Sequence, residues 1–320
     1  MIYLKEYNNY DNQVERICKK FGIENWTIRD GLVDVNGSVD ISGVSLDKLP
    51  LKFGIVSGSF VCSHNQLKSL EGSPIEIGLS FDCSYNGLFK LEGAPKKVGG
   101  GFHCKYNYLT TLKGSPIEVG FDFDCSHNSL PTLEGAPKKV GGNFKCGNNN
   151  ITSIKGSPQE VGGNFYCSYN NLYTLKGAPK KVGGGFYCER SNLISLKGCP
   201  TDVGNGFYFT QNNLTSLEGA PQVVNGDFIC SFNNLTTLEG APKEVSGNFN
   251  CNENKLTTLE HMPNVWGYIS RGGNPLPEEI LDLTKDQLKK VVYEQDFYEI
   301  WRDGKLFEPR WRELKLDLGI

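Results

Sequence analysis

One 21-residue pattern recurs along most of this chain, and few folds can accommodate such a pattern. Its most regular member is a Cys, because nine of the 11 Cys lie on a single 21-residue spacing. The nine are Cys62, Cys83, Cys104, Cys125, Cys146, Cys167, Cys188, Cys230 and Cys251, and Phe209 stands at the remaining position. A Phe lies two residues before each position, and an Asn lies three residues after each one except at Ser191. A fixed period of this length predicts a solenoid in which each repeat forms one turn.

Within each repeat, the residue types indicate how the chain completes its turn. Phe-x-Cys alternates inward and outward residues as a strand does, and the Gly pair before it, such as Gly99-Gly100, suits a sharp bend. The Asn is expected to line the interior, with its amide bonded to backbone groups of its own turn and the next. Gly-Ala-Pro or Gly-Ser-Pro then disfavours a helix on the return path. The pattern predicts one parallel sheet, an extended return side and almost no helix inside the solenoid.

The Cys residues are expected to be buried and unreactive. A free Cys behaves as a small apolar residue, and a row of single thiols does not supply the four converging ligands of a zinc site. The segment Met1 to Tyr7 has no basic region followed by an apolar core, so we expect no secretory signal. Free Cys without such a signal is typical of a reducing compartment. We therefore expect a cytoplasmic protein with no metal and no cofactor.

The charge distribution argues against two classes of partner. The formal net charge is −3, so the chain has no overall attraction to nucleic acid or to an anionic membrane. No run reaches the ~18 apolar residues of a membrane-spanning helix. On the return side, Pro-Ile-Glu and Pro-Lys-Lys alternate, as at Glu118 and Lys139. This alternation predicts weak ion pairs between neighbouring turns.

The pattern Phe-x-Cys-x-x-Asn-x-Leu-x-x-Leu resembles the core of the leucine-rich repeats, with Phe and Cys at two of the Leu positions. The resemblance covers about residues 39–274 and implies a curved solenoid whose concave sheet face binds a protein partner. The sequence segment Leu-Glu-Gly-Ala-Pro-Lys-Lys-Val-Gly-Gly is also similar to segments of repeat proteins encoded by large tailed bacteriophages and some bacteria. This second resemblance implies an interaction or inhibitor protein that acts on a host protein.

Both ends of the chain depart from the repeat and are interpreted as caps. Residues 1–38 form an N-terminal cap with a short helix that begins at Asp11. Residues 39–274 form the solenoid of about 12 turns, and residues 275–320 form a helical C-terminal cap. In that cap, Thr284 is expected to begin a helix that runs to about Trp301. The alternating run Leu314–Leu318 is consistent with a short edge strand.

A constant period stacks the outward residues of successive turns into columns about 4.8 Å apart per step. The residue just before each Cys position defines the strand column, and the residue two after it defines the turn column. In the second half these columns hold an aromatic strip of Tyr166, Tyr187 and Tyr208, with Tyr169, Arg190 and Phe232 beside it, and Glu189 adjoins them. Exposed Tyr and Arg are typical of binding hot spots, although stacked aromatics also stabilise sheets.

In the first half the strand column holds Asp82, His103 and Asp124, with Asp122 nearby. Two carboxylates that flank an imidazole can bind a metal or transfer protons. A flat sheet face, however, offers no pocket that excludes water. We therefore expect these four residues to form an acidic part of a partner-binding surface.

The function best supported by the sequence is a monomeric, non-catalytic scaffold that binds a protein partner. An alternative is an effector-like enzyme or adaptor in which the repeats recognise the substrate. No Cys follows Cys251, so the C-terminal tail cannot perform thioester chemistry, and no phosphate-binding or metalloprotease motif occurs. A third possibility is a structural protein that assembles end to end, which the two caps disfavour.

Overall fold

The computed structural model describes residues 2–320, with side chains from Tyr10 onward. It comprises two compact units, one that ends at Gly163 and one that begins at Asn164. In each unit the chain winds as a solenoid of leucine-rich-repeat type, and strands of successive turns pair in parallel at the expected 21-residue offset. Phe102 pairs with Phe123 in the first unit, for example, and Phe186 pairs with Phe207 in the second. The predicted fold class is confirmed.

The Phe-x-Cys strands form the front sheet. In the first unit its strands are Val39–Asp40, Phe60–Val61, Phe81–Asp82, Phe102–His103, Phe123–Asp124 and Phe144–Lys145. In the second unit they are Phe165–Tyr166, Phe186–Tyr187, Phe207–Tyr208, Phe228–Ile229, Phe249–Asn250 and Ile269–Ser270. The Phe side chains from Phe60 to Phe249 are buried, so the residue after each Phe faces outward.

A second parallel sheet, the back sheet, occupies the return side, where the sequence predicted only extended chain. Its strands in the first unit are Leu32–Val35, Phe53–Val56, Glu76–Ile77, Lys97–Val98, Glu118–Val119, Lys139–Val140 and Glu160–Val161. Those in the second unit are Lys181–Val182 and Asp202–Val203. Val223–Val224, Glu244–Val245 and Asn264–Val265 follow on the same side as a separate three-stranded parallel sheet. Most of these strands have only two residues, too few to show an alternation in the sequence.

The predicted ion pairs between turns join neighbouring strands of the back sheet. Lys139 Nζ lies 3.6 Å from a carboxylate oxygen of Glu160, and Lys181 Nζ lies 3.8 Å from one of Asp202. The side chains are mostly exposed to solvent, so each pair contributes at most about 1 kcal/mol. The pairing supports the register of the turns more than their stability.

The Asn of each repeat forms the predicted interior ladder. Asn107 Nδ2 donates to the carbonyl oxygens of Cys104, in its own turn, and Cys83, in the preceding turn, both at 3.1 Å. Its Oδ1 accepts from the backbone N–H of Leu88 at 3.0 Å. The second turn that each amide contacts is thus the preceding one rather than the next. The tight bend leaves backbone carbonyl and N–H groups that neither sheet pairs. A buried backbone group without a partner is costly, and the Asn amide supplies the missing hydrogen bonds.

The N-terminal cap begins with a helix that is longer than expected. Helix α1 spans Ile2–Phe21, so the prediction that Asp11 begins it is wrong, because Asp11 lies in the middle of the helix. The buried Val14 and Cys18 form its inward face. A hairpin of Trp26–Arg29 and Leu32–Val35 follows, and its second strand pairs with Phe53–Val56 of the back sheet.

Residues 275–320, the predicted C-terminal cap, contain three helices: α2 at Glu278–Leu281, α3 at Lys285–Tyr298 and α4 at Glu308–Leu318. Thr284 caps α3 in a capping box with Gln287, as the sequence predicts, but α3 ends at Tyr298. Trp301–Arg302 instead pairs with Lys305–Leu306 in a hairpin. The edge strand predicted for Leu314–Leu318 is wrong, because this run is the end of α4. Pro309 lies in the first turn of that helix and Gly319 terminates it, so the helix signals prevail over a short alternation.

Candidate functional site

Three tyrosines of the front sheet in the second unit form a continuous stack, the tyrosine strip. The ring centroids of Tyr166 and Tyr187 are 4.6 Å apart, and those of Tyr187 and Tyr208 are 4.4 Å apart with almost parallel planes. All three side chains are half-buried. The strip follows from the register, because residues 21 positions apart pair directly in this sheet.

Neighbouring small and polar residues determine how the strip lies on the sheet. Asn164 donates from Nδ2 to the Tyr166 hydroxyl at 2.8 Å. Gly185 leaves room for the Tyr187 ring, because a Cβ at Gly185 would lie 2.9 Å from a ring carbon. The tyrosine rings therefore fold back along their strands rather than extending into solvent.

The phenol hydroxyls of Tyr187 and Tyr208 favour their neutral forms. Partial burial is the main cause and raises the pKa of Tyr208 to about 12, with smaller contributions from Tyr187 and Asp227. Burial also raises the pKa of Tyr187. At neutral pH the strip is consequently an uncharged surface of ring edges and hydroxyl groups.

Tyr169, Arg190 and Phe232 lie in the turn column, which has an unusual backbone. Each adopts a left-handed conformation, with φ of 59°, 50° and 54°. Tyr169 and Phe232 are 49% and 52% exposed. A bulky residue in this conformation costs roughly 1 kcal/mol or more relative to glycine, yet no glycine occurs in this column from His64 to Glu253. Bulky side chains thus occupy these positions despite the backbone strain. Strained backbone conformations of this kind are common at functional sites.

Arg190 and Glu189 occupy the one turn that lacks the ladder Asn. The Cζ atom of Arg190 lies 5.2 Å from the centroid of the Tyr169 ring, and its Nε donates to Gln211 Oε1. Glu189 accepts a hydrogen bond from the Ser168 hydroxyl. The two neighbouring charges are therefore held by different groups and do not form an ion pair with each other.

The four first-unit residues are adjacent but largely engaged with their own protein. Asp82, His103 and Asp124 stand opposite one another on successive strands. Asp124 is only 7% exposed and accepts from the backbone and the hydroxyl of Ser126. Asp122 accepts from the Asn143 backbone N–H at 2.8 Å and lies 3.1 Å from Lys145 Nζ.

These contacts change the interpretation of the acidic surface. Burial opposes ionisation of Asp122, but the hydrogen bonds from Asn143 and the nearby Lys145 outweigh it and lower the pKa of the carboxyl group. A carboxylate already paired with Lys145 gains little from a partner's cation. Asp122 thus links two turns, and Asp124 is buried and bonded within its own turn. Asp82 and His103 are half-exposed and remain better placed to contact a partner.

An aromatic stack also occupies the turn column of the first unit. His64, Tyr85, Tyr106 and His127 are stacked with centroid distances of 4.2, 4.4 and 4.1 Å. Like the second-unit residues, they have positive φ values. The 21-residue spacing of these four residues in the sequence could have predicted the stack. Residues at this spacing lie side by side on neighbouring turns, so their rings stack if they face the same side of the sheet.

The Cys residues do not provide a reactive site. The nine Cys of the repeat are buried, and burial raises the pKa of thiols such as Cys104 and Cys230. Some of them donate to a carbonyl oxygen of the next turn, as Cys125 does to Lys145 at 3.4 Å. Among the described residues no group of three or more His, Cys, Asp or Glu is placed to hold a metal ion. Within the same range no helix is long and apolar enough to cross a membrane.

Comparisons with known proteins identify similar folds only. No family model matches the sequence, and no curated protein matches it. Among solved structures, the chain is similar to YopM from Yersinia enterocolitica WA-314 at 18% identity and a TM-score of 0.48, covering 75% of this chain and 65% of that one. It is also similar to YopM, a leucine-rich effector protein from Yersinia pestis, at 18% identity and a TM-score of 0.46, covering 79% of this chain and 87% of that one. At this identity the similarities assign no partner or activity to the chain.

Proposed function

We propose that this protein is a non-catalytic scaffold that binds a protein partner through the front sheet of its second unit. The observation that carries the proposal is one surface that combines the tyrosine strip with the exposed Tyr169, Arg190 and Phe232. Tyr and Arg on a rigid surface are enriched among residues that dominate binding energy. Parallel strands and side chains that bond neighbouring turns supply the rigidity, which reduces the entropy lost on binding.

The proposed setting is the cytoplasm, with the protein as a monomer that carries no cofactor and binds neither nucleic acid nor membrane. We further propose that it is encoded by a bacteriophage and that it binds or inhibits a host protein. The Gly-Ala-Pro-Lys-Lys-Val sequence motif supports that origin. In this proposal residues 1–38 and 275–320 close the ends of the array of residues 39–274.

Affinity capture from the cell in which the protein is made tests the proposal. The wild-type chain is compared with a triple variant, Tyr187→Ala, Arg190→Ala and Tyr208→Ala. The matched control carries Tyr173→Ala and Lys180→Ala, two exposed residues of the same unit that lie outside the tyrosine strip and the turn column. We expect the wild type and the control to retain the same partner and the triple variant to lose it.

Unfolding in urea shows whether the triple variant is folded. Retention of the partner by a folded triple variant would contradict the proposed site. Turnover of a substrate by the purified protein, abolished by Asp82→Asn or His103→Ala, would instead support the enzymatic alternative.

A further inference from the structure

We infer that Arg190 binds a carboxylate group of the protein partner, an inference that rests on the proposed function. The guanidinium is held between Tyr169 and Gln211, and its terminal nitrogens have no partner among the residues the structure describes. The site is distinct from the tyrosine strip in its chemistry, because it selects an acidic group rather than an apolar surface.

The side chain of Arg190 is fixed at two points before any partner arrives. The Cζ atom lies 5.2 Å from the centroid of the Tyr169 ring, within cation–π range, and Nε donates to Gln211 Oε1. Both contacts leave the two Nη groups as a fork. Such a fork matches the two oxygens of a carboxylate and forms paired, charge-assisted hydrogen bonds.

The backbone that follows Arg190 is bonded to the next turn. Asn212 Oδ1 accepts from the N–H groups of both Ser191 and Leu193, at 3.0 and 2.9 Å. Asn192 adopts a positive φ of 62°, in addition to the 50° of Arg190 itself. Ser191 therefore accompanies a local rearrangement of the residues just after Arg190, and bonds to the next turn secure it.

The surroundings of Arg190 favour a carboxylate of the partner that lies next to an apolar side chain of the partner. Arg190 is the only cation in the strand and turn columns from Tyr166 to Glu253. The neighbouring Glu189 is bonded to Ser168 and forms no ion pair with Arg190. The exposed rings of Tyr169 and Phe232 in the same column offer apolar contact that shields a charged pair from water, which strengthens it.

Selection of random peptides on the immobilised protein tests the inference. One peptide pool contains all residue types, and a second pool lacks Asp and Glu and has amidated C-termini, so that it carries no carboxylate. Recovered peptides are then measured against wild type, Arg190→Gln, Arg190→Lys, Gln211→Ala and Tyr187→Ala with Tyr208→Ala. A third set replaces the acid of each recovered peptide by phosphoserine.

We expect binders only from the first pool, each with an acid that cannot be replaced by its amide. Arg190→Gln should weaken them at least tenfold, and Arg190→Lys should do nearly the same, because Lys keeps the charge but loses the fork. Gln211→Ala should weaken them less, since it removes only one of the two supports.

Three outcomes overturn the inference while leaving the proposed function intact. Binders from the carboxylate-free pool, or binders that tolerate Arg190→Gln but are lost when Tyr187 and Tyr208 are replaced, would show a binding surface without carboxylate recognition. A clear preference for phosphoserine over the carboxylate would also overturn it. Recovery of no binder from either pool would count against both the inference and the proposed surface.

Discussion

At the scale of single residues, the buried Asn contributes most to the integrity of each turn. Asn149 donates to the carbonyls of Cys125, Cys146 and Gly147, and it accepts from Leu130 at 3.1 Å. Its removal leaves buried carbonyl and N–H groups without partners, which costs more than the average hydrogen bond. One amide thus replaces several backbone bonds that the bend cannot form.

Replacement of this Asn should be costly, whereas that of its neighbour should not. We expect Asn149→Ala to lower the free energy of unfolding by about 3 kcal/mol, as measured by urea titration. Asn150→Ala is the matched control, because Asn150 is exposed, and its effect should stay within about 0.5 kcal/mol. Equal effects of the two substitutions would contradict the role assigned to the ladder.

The titration of Tyr208 provides a pH-dependent test of the tyrosine strip. Its pKa is raised from 10.0 to about 12, mainly by burial, so the neutral phenol stabilises the folded state below the unfolded pKa. That contribution is lost as the pH rises through the folded pKa. We expect the difference in phenolate absorbance between the wild type and Tyr208→Phe to have its midpoint near 12. A midpoint at the ordinary value would indicate that the ring is not held as described.

At the scale of elements, the last turn shows why a repeat must change where it ends. Arg271 occupies the Cys position of that turn, and its guanidinium donates to the carbonyls of Ile280, Leu281 and Leu283. These carbonyls lie at the end of α2, where no helical N–H groups remain to bond them. Arg271 therefore links the array to its cap.

Restoring the repeat residue at this position should weaken the protein. We expect Arg271→Cys to cost about 2 kcal/mol, because it removes a charged donor from three carbonyls. Hydrogen exchange of residues 278–284 should accelerate, and the urea midpoint should fall. Arg310→Cys, which removes an exposed Arg of α4, is the control and should leave both unchanged. A stabilised Arg271→Cys variant would show that the repeat pattern, not the cap, dominates at this turn.

Sequence patterns predicted the elements unevenly. Thr284 predicted the start of α3, because an N-cap residue acts through local chemistry. The end of the chain was misread, because Leu314, Leu316 and Leu318 alternate like a strand. Only packing against α3 decides that Leu314 is buried while Leu316 is 81% exposed. The deeply buried Gln295, which bonds Leu259 and Trp301, carries no sequence signal for its position.

At the scale of the whole molecule, the register of the turns is the property that every site depends on. In a solenoid each turn contacts only its neighbours, so that stability is roughly a sum over turns and interfaces. Deleting one whole repeat of 21 residues preserves the columns. Deleting 20 residues instead shifts every later residue by one position and exchanges the inward and outward side chains of each strand.

Two deletions in the first unit test this. Removal of residues 104–124 joins His103 to Cys125 and keeps every later residue in register. We expect this variant to fold, with an unchanged circular dichroism spectrum per residue and cooperative unfolding. Removal of residues 104–123 places Asp124 at a buried Cys position and should prevent folding of the first unit. Equal behaviour of the two variants would contradict an additive solenoid.

The sequence alone determined the repeat length, the front sheet, the buried Cys and Asn rows and the alignment of Tyr166, Tyr187 and Tyr208. These follow from a constant period, which converts separation along the chain into contact between turns. Only the tertiary structure decided that strands of two residues form a back sheet. It also decided that Asp122 pairs with Lys145, that Asp124 bonds Ser126, and that Arg190 lies against Tyr169 and Gln211. Such features depend on side-chain direction and on which polar atoms already have partners, and neither is encoded in spacing.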